Sequence, residues 1–461
     1  MLREPRRALH ARIAETLANT FADIVQNHSE LLARHYTEAG LIQKAASLWR
    51  KAGLRSLERS AAPEAAGQLS RARDQISTLP TTPALRREEI EVQVALITAL
   101  RISKGHAAPE PKAAAERARL LIETAVALGE PPDDPLLLFS VLFGFFVECT
   151  TAFNADASRE IAAQVLELAQ KQSASFPLVI GHGFSGSSLL LRGEIAEGRK
   201  HLDQSIAFYE PIEHRPLATR FGEDQRVAHL CWRSIALWAL GYPEEGIADT
   251  NNALKDANEI GHAGTLMFAL VYAGWSNIQC GNYMFVKERS AQAIALADEK
   301  SAPFFKAHGT LNHGCVLALT GRADDAVHII TSGIAAWRST GATMFLPMWL
   351  THLAAAYADL GQLDDALRCV GEAMSAVETT GERWCEAEVY RVTGEIALMA
   401  DALKAETHFE RALVQRAKSW ELRAAMSLAR LWRDRYPNCE LTRDEARRIA
   451  LNIVKLPDLL R

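Results

Sequence analysis

Apolar residues recur at helical spacing from the start of the chain, first as Leu9, Ile13, Leu17 and Phe21 and then as Leu31, Leu32 and Tyr36. That stagger gives an α-helix one buried face. From residue 241 the pattern is cut at a fixed length. A glycine, or once a serine, stands every 20 residues, at Gly241, Gly261, Gly281, Ser301, Gly321, Gly341, Gly361 and Gly381. Around every second break the same residues return. A small or β-branched residue follows five positions later (Gly246, Val286, Ala326, Ala366), and a small one twelve positions later (Ala253, Ala293, Gly333, Ala373). Another small residue stands seven positions before (Ser234, Gly274, Gly314, Ala354). The repeat is 40 residues long and holds two segments separated by glycine turns. It predicts an all-α, tetratricopeptide-like α-solenoid, a right-handed superhelix of antiparallel helical hairpins. HEAT and armadillo repeats share the length but not this glycine spacing.

The repeated small residues have a packing cause, since two antiparallel helices approach closely only where the crossing side chains are small. Leu237, Leu317 and Tyr357 on the first helices, and Leu254, Ile294, Ile334 and Met374 on the second, are expected to fill the space between hairpins. The acidic pairs Glu244/Glu245, Asp324/Asp325 and Asp364/Asp365 fall just past the turn. There the unpaired N–H groups and positive dipole end of the second helix favour them, a structural role rather than acid–base chemistry.

Four regions follow along the chain: N-terminal hairpins over 1–80, irregular repeats over 84–210, the regular array over 217–417 and C-terminal capping helices over 418–461. Gly40 with Ala45, Trp49 and Ala52 foreshadows the regular pattern, and Gly193 with Gly198 and Leu202 repeats it loosely. Residues 210–216 read as a linker. Thr442 and Glu445 form a capping-box pair that opens a last helix to Lys455. The most apolar run, 135–147, is too short to span a bilayer and reads as a buried helix that Asp133 or Asp134 can cap.

Composition narrows the function. A formal net charge of −5 over 461 residues gives no electrostatic footprint for nucleic acid. The seven cysteines form no C-x-x-C pair and are odd in number, as expected of buried thiols in a reducing cytoplasm. No phosphate loop of the G-x-x-x-x-G-K-[ST] kind and no H-E-x-x-H is present. Gly181, Gly183 and Gly186 match G-x-G-x-x-G after a strand-like stretch at 176–180, with Asp203 further on. A dinucleotide site would need a second strand that the pattern does not supply, and Gly186 stands where the hairpin wants a small residue. His308 and His313, five apart, do not share a helical face for a metal. The basic run Arg3, Arg6, Arg7 and Arg12 reads as a solvated helix start. No cofactor, metal or catalytic set is expected, and no membrane contact.

What remains is a surface. If the first helices line a concave groove, counting back from each turn places Phe268, Trp275 and Gln279 there, with Trp238, His308, Thr351 and Asp359 in neighbouring units. Aromatic residues beside polar ones suit capture of a peptide or partner helix. Trp238 and Trp275 read first as core between hairpins and only second as groove residues.

Arg6-Arg-Ala-Leu-His10-Ala-Arg-Ile-Ala-Glu15, Glu30-Leu-Leu-Ala-Arg-His35-Tyr-Thr-Glu-Ala-Gly40 and Ala52-Gly53, together with Glu116-Arg-Ala and the array, resemble the C-terminal tetratricopeptide region of large bacterial signalling proteins. Those proteins also carry a class III adenylate/guanylate cyclase domain and a STAND-type ATPase. Neither catalytic domain is in this chain, so no catalytic residue carries over. The resemblance implies a stand-alone or truncated sensor segment, a cytoplasmic non-enzyme whose partner is a protein or peptide, including a separately encoded cyclase or ATPase chain. The other expectation is a small-molecule sensor with its ligand in the groove.

Overall fold

Every break in the 20-residue series takes a left-handed backbone, from Gly241 at φ 89° to Gly381 at 77°, and Ser301 does so at 52°. At the hairpin turns this is a helix C-terminal motif. Gly241 N–H bonds to Trp238 O at 3.0 Å and Tyr242 N–H reaches back to Leu237 O at 2.8 Å, and Gly281 and Gly361 repeat the arrangement. Glycine takes this conformation without a Cβ clash while the paired N–H groups satisfy carbonyls the helix leaves open.

The computed structural model describes residues 3–20, 28–172, 174–399, 402–415 and 417–435. Among the described residues all regular structure is helical, and the fold is a tetratricopeptide-like α-solenoid. The array consists of the pairs Gln225–Ala239 with Pro243–Ile260, Ala263–Gln279 with Tyr283–Glu299, Pro303–Leu319 with Ala323–Ser339, and Leu346–Asp359 with Leu363–Thr380. Glu386–Leu398 and Ala402–Leu413 add a hairpin, and Lys418–Arg435 follows it. The capping-box segment at Thr442 and Glu445 lies outside the described residues.

Small residues sit where paired helices touch. A Cβ on Gly246 would stand 2.9 Å from Ser234 O, and one on Gly314 2.6 Å from the Ile330 side chain. Ala253, Ala293, Ala326, Ala354, Ala366 and Ala373 are wholly buried. The acidic pairs do occupy first helical turns.

The strand-like stretch at 176–180 is the start of the Ser175–Leu191 helix, in keeping with the hairpin reading of Gly186, and its glycines serve packing: Gly181 lies against the Leu166 backbone and Gly186 against Leu202 and Gly198 O. Tertiary contact overrides the β-propensity of its valine and isoleucine. Residues 210–216 form not an extended linker but short helical turns, Pro211–His214 and Arg215–Leu217.

The chain divides into two compact units, one within Met1–Glu148, Pro216–Gly222 and Glu299–Pro303, the other within Cys149–Arg215, Glu223–Asp298 and Phe304–Arg461. In the first, Ile42–Glu58 pairs with Ala62–Ile76, and Pro83–Lys104 with Pro109–Ala127, around a core that includes Trp49, Leu69, Ile90, Leu96 and Val141. Its apolar helix, Leu136–Thr151, starts at Asp134, whose side chain accepts Leu136 N–H at 2.8 Å and pairs with Arg220 at 2.6 Å. No helix among the described residues is long and apolar enough to cross a membrane.

Two alanine substitutions separate crowded glycines from idle ones. A Cβ at Gly198 would stand 2.8 Å from Gly186 O and 2.9 Å from Leu190 N, whereas one at Gly371 would meet nothing within 4 Å. Gly198→Ala should cost about 1–3 kcal/mol, and Gly371→Ala should add roughly 0.5–1 kcal/mol. Urea unfolding midpoints moving in opposite directions check both.

Candidate functional site

The residues expected to line the groove lie in the second unit, and only Asp359, the last residue of its helix, is exposed. Trp275 packs edge-to-face on Trp384 with centroids 4.5 Å apart and on Trp238 at 5.9 Å, while Trp238 meets Trp420 at 4.6 Å. Phe268 stacks on Tyr272 at 4.1 Å, and Tyr272 leads to His308 at 5.0 Å. The inner ends of successive first helices are therefore packed against Trp384 and against the Lys418–Arg435 helix. That helix is pinned to carbonyls at two helix C-termini, one of which, Trp238 O, also accepts Gly241 N–H. Ser419 Oγ donates to Trp238 O at 2.5 Å, and Arg423 Nη2 donates to Gln279 O at 2.8 Å. A cation at a helix C-terminus is also favoured by the dipole.

Beside this packing lies a cavity of about 330 Å³. Gln279 and Thr351 line it, joined by His352, Glu388, Arg391, Arg423 and Arg430. Arg391 grips Glu388 with Nε at 2.7 Å and Nη2 at 2.8 Å, a forked pair. Burial alone would raise the Glu388 carboxyl, yet Arg391 and then Arg423 outweigh it and hold it below the usual range. Burial pushes His352 down to about 4, against the pull of Glu388 and with the help of the two arginines, so it is neutral at pH 7. Arg423 Nη1 donates to Gln279 Oε1 at 2.9 Å, and the guanidinium lies 5.2 Å from the ring centroids of Trp238 and Trp420. Arg430 reaches Glu395 at 3.2 Å. A cavity of about 410 Å³ in the other unit is lined by Leu54, Leu57, Val94 and Leu137, and its Arg220 and Asp134 are paired with each other.

Two buried groups hold the surrounding frame. Glu382 accepts Phe345 N–H at 2.9 and 3.1 Å and Trp384 Nε1–H at 2.7 Å, fixing Phe345 at its left-handed φ of 65°. Burial raises its carboxyl to about 7 although these bonds oppose the shift. His308 is wholly buried among Phe304, Trp337 and Trp349, and its ring nitrogens have no hydrogen-bond partner among the described residues.

Sequence spacing located Gln279 and Thr351 but not the arginines opposite them. Arg423 and Arg430 stand seven apart on one helix face beyond the regular array, and Glu388 and Arg391 form an i, i+3 pair in its last hairpin, past the final turn glycine from which positions can be counted.

Two serine–histidine contacts have no catalytic arrangement. His214 Nδ1 accepts Glu210 N–H at 2.9 Å, so Nε2 carries the proton and donates to Ser175 Oγ at 3.0 Å, the wrong tautomer for a general base. Ser205 Oγ donates to Val179 O at 2.7 Å and receives His229 Nδ1–H at 2.7 Å, a buried brace between helices. Among the described residues no cluster of three His, Cys, Asp or Glu side chains could hold a metal ion.

No protein-family model matches the chain. An uncharacterized protein of Rhizobium meliloti (strain 1021) is 24% identical over 399 residues, 85% of this chain and 37% of that protein. The chain thus spans little more than a third of that relative's length. A Rap protein complexed with competence and sporulation factor is similar in structure at 12% identity, covering 81% of this chain and 99% of its own with a TM-score of 0.56. The Rap conjugation gene regulator of the plasmid pLS20, in complex with the Phr* peptide, aligns at 10% identity over 83% of this chain and 98% of its own with a TM-score of 0.49. At such identities the first likeness shows the fold alone.

Burying neutral histidines has a pH signature. Burial lowers His308 and His229 to about 3 and His352 to about 4, whereas an unfolded histidine titrates near ~6.5. The unfolded chain therefore binds more protons between those values, and stability falls as pH drops through that window. Glu382, shifted upward, acts in the opposite sense, so the informative quantity is a difference between chains. His308→Leu should shrink the loss of urea midpoint between pH 7 and pH 5 without lowering the pH 7 value, since it removes a buried group that lacks a partner. An unaltered loss would rule out a neutral, buried His308.

Proposed function

We propose that this chain is a non-enzymatic binding module of a bacterial regulatory system, one that recognises a protein or peptide through the arginine-lined cavity. The observation that carries the reading is the contrast within one unit. The aromatic faces of the first helices are packed shut around Trp275 and Trp384, while Gln279, Thr351, Arg423 and Arg430 keep a polar space open beside them. Gln279 and Thr351 make the contact, and Trp238, Trp275, Phe268 and His308 support it from beneath. Asp359 lies on the exposed end of its helix and serves a second contact of the partner.

The Rap structure supports a regulatory role because a solenoid of this fold there holds competence and sporulation factor. The cyclase–ATPase resemblance makes a separately encoded cyclase or ATPase chain the candidate partner. Buried thiols at Cys149, Cys231, Cys315, Cys369 and Cys385, none in a disulfide, support a cytoplasmic location. A second reading, a small-molecule sensor, is favoured by one observation: the cavity of about 330 Å³ falls at the lower end of the ~300–1,000 Å³ typical of small-ligand sites.

Ala355 lines the cavity without any hydrogen-bonding side chain, so Ala355→Trp fills the space and leaves the arginine contacts intact. Wild-type chain should retain a stoichiometric protein partner from cytosol, and the variant should lose it at an unchanged thermal midpoint. Equal retention by both would exclude the cavity as the contact. A thermal shift with a metabolite in the absence of any protein partner would favour the second reading, and nucleotide hydrolysis by the purified chain would overturn both.

A further inference from the structure

The cavity's own chemistry narrows what it can hold. Three guanidiniums, Arg391, Arg423 and Arg430, face two carboxylates, Glu388 and Glu395, because His352 is neutral. One positive charge is left over in a partly enclosed space, where it acts more strongly than in water.

The excess can be traced to particular atoms. Arg391 is consumed by Glu388, which takes both Nε and Nη2. Glu395 Oε1 is shared among Arg430 at 3.2 Å, Arg391 at 3.4 Å and Ser427 Oγ at 2.5 Å. Arg423 donates to the Gln279 side chain and backbone, both neutral acceptors, and stands 3.6 Å from Glu388 Oε1, beyond hydrogen-bond distance. Arg423 and Arg430 are two helical turns apart on one face, about 10 Å in axial rise, and both line the cavity. Ile278, Leu319 and Val392 form an apolar wall of that space.

We propose that this space is a clamp for a single free carboxylate borne on a branched aliphatic group, held between Arg423 and Arg430 with the aliphatic part against Ile278, Leu319 and Val392. A carboxylate supplies two in-plane acceptors that match the guanidinium fork, and its one charge cancels the one in excess. A phosphate, with about −1.5 to −2 charges, would overcompensate and face the carboxylates of Glu388 and Glu395. The same chemistry comes from two sources, the C-terminus of a peptide ending in an aliphatic residue or a small free carboxylic acid. This inference rests on the binding-module reading above and names the group that the module grips.

The test uses the full chain with matched probes. Hexapeptide pools, degenerate at the first five positions and ending in leucine, are prepared as free acid and as amide, with 4-methylpentanoate as the small acid. Calorimetric titration should give at least about tenfold tighter binding for the acid pool than for the amide pool. Arg430→Gln, at a largely exposed side chain, should abolish that preference without altering amide binding. Should that variant fail to fold, Arg430→Lys keeps the charge, loses the fork and should reduce the preference. Competition by 4-methylpentanoate would identify a small acid as sufficient, while binding of the acid pool alone would identify a peptide terminus. Acid and amide pools binding alike would overturn the clamp and leave the peptide-binding reading standing. Absence of binding by every probe would overturn the clamp as well, with the partner-retention comparison of wild type and Ala355→Trp deciding the module's role independently.

Discussion

The structure depends on how closely two antiparallel helix backbones can approach. At Gly246 against Ser234 O, and at Gly198 against Gly186 O, the space left for a side chain is smaller than a methyl group needs. Such contact forces small residues into register on both helices, and the register fixes the turn between them. That is why the breaks recur at one interval, and why Ser301 is tolerated: a left-handed residue costs an L-amino acid only modestly, so one exception survives. Glycines outside these crossings, such as Gly371, have no such reason.

Close pairing within a hairpin leaves the bulky residues to pack between hairpins. In the second unit the first helices contribute Trp238, Phe268, Trp275, His308 and Trp349, and the Lys418–Arg435 helix adds Trp420. An aromatic interior of this kind excludes water, so each polar group inside needs a local answer. Glu382 finds three N–H contacts, whereas His308 is simply kept neutral. The arginines of the cavity find carboxylates, except for one charge.

How much was legible follows from which features are periodic. The hairpins, their turns and their small positions were readable because each recurs at 40 residues and has a local cause, and the acidic helix starts because they recur in every unit but the one where Met284 and Phe285 stand. At 176–180 Val179 and Ile180 favour strands in isolation, and the hairpin position of Gly186 decided for a helix, but nothing local reveals that Gly181 must lie against the Leu166 backbone. For the cavity, counting from turn glycines reached Gln279 and Thr351, which stand on repeating helices. It could not reach Arg423, which meets Gln279 from 144 residues away on a helix with no repeat. Trp238 and Trp275 are buried, as the core reading had it, but the helix that covers them lies outside the regular array, so that partner was not legible.

Arg423 joins two properties that are separate in an ordinary repeat array. The same guanidinium anchors the C-terminal helix to the Gln279 carbonyl and lines the cavity. A carboxylate that recruits it competes with Gln279 for its donors, so the strength of the anchor and the affinity of the cavity draw on one group. By linkage, an occupant shifts the seating of the C-terminal helix only by the difference in its affinity for the two arrangements. Gln279 is a neutral acceptor and a carboxylate is a charged one, roughly twice as strong a partner, and the difference therefore favours the occupant. An occupant of the proposed clamp would thus act on the C-terminal helix through Arg423 itself.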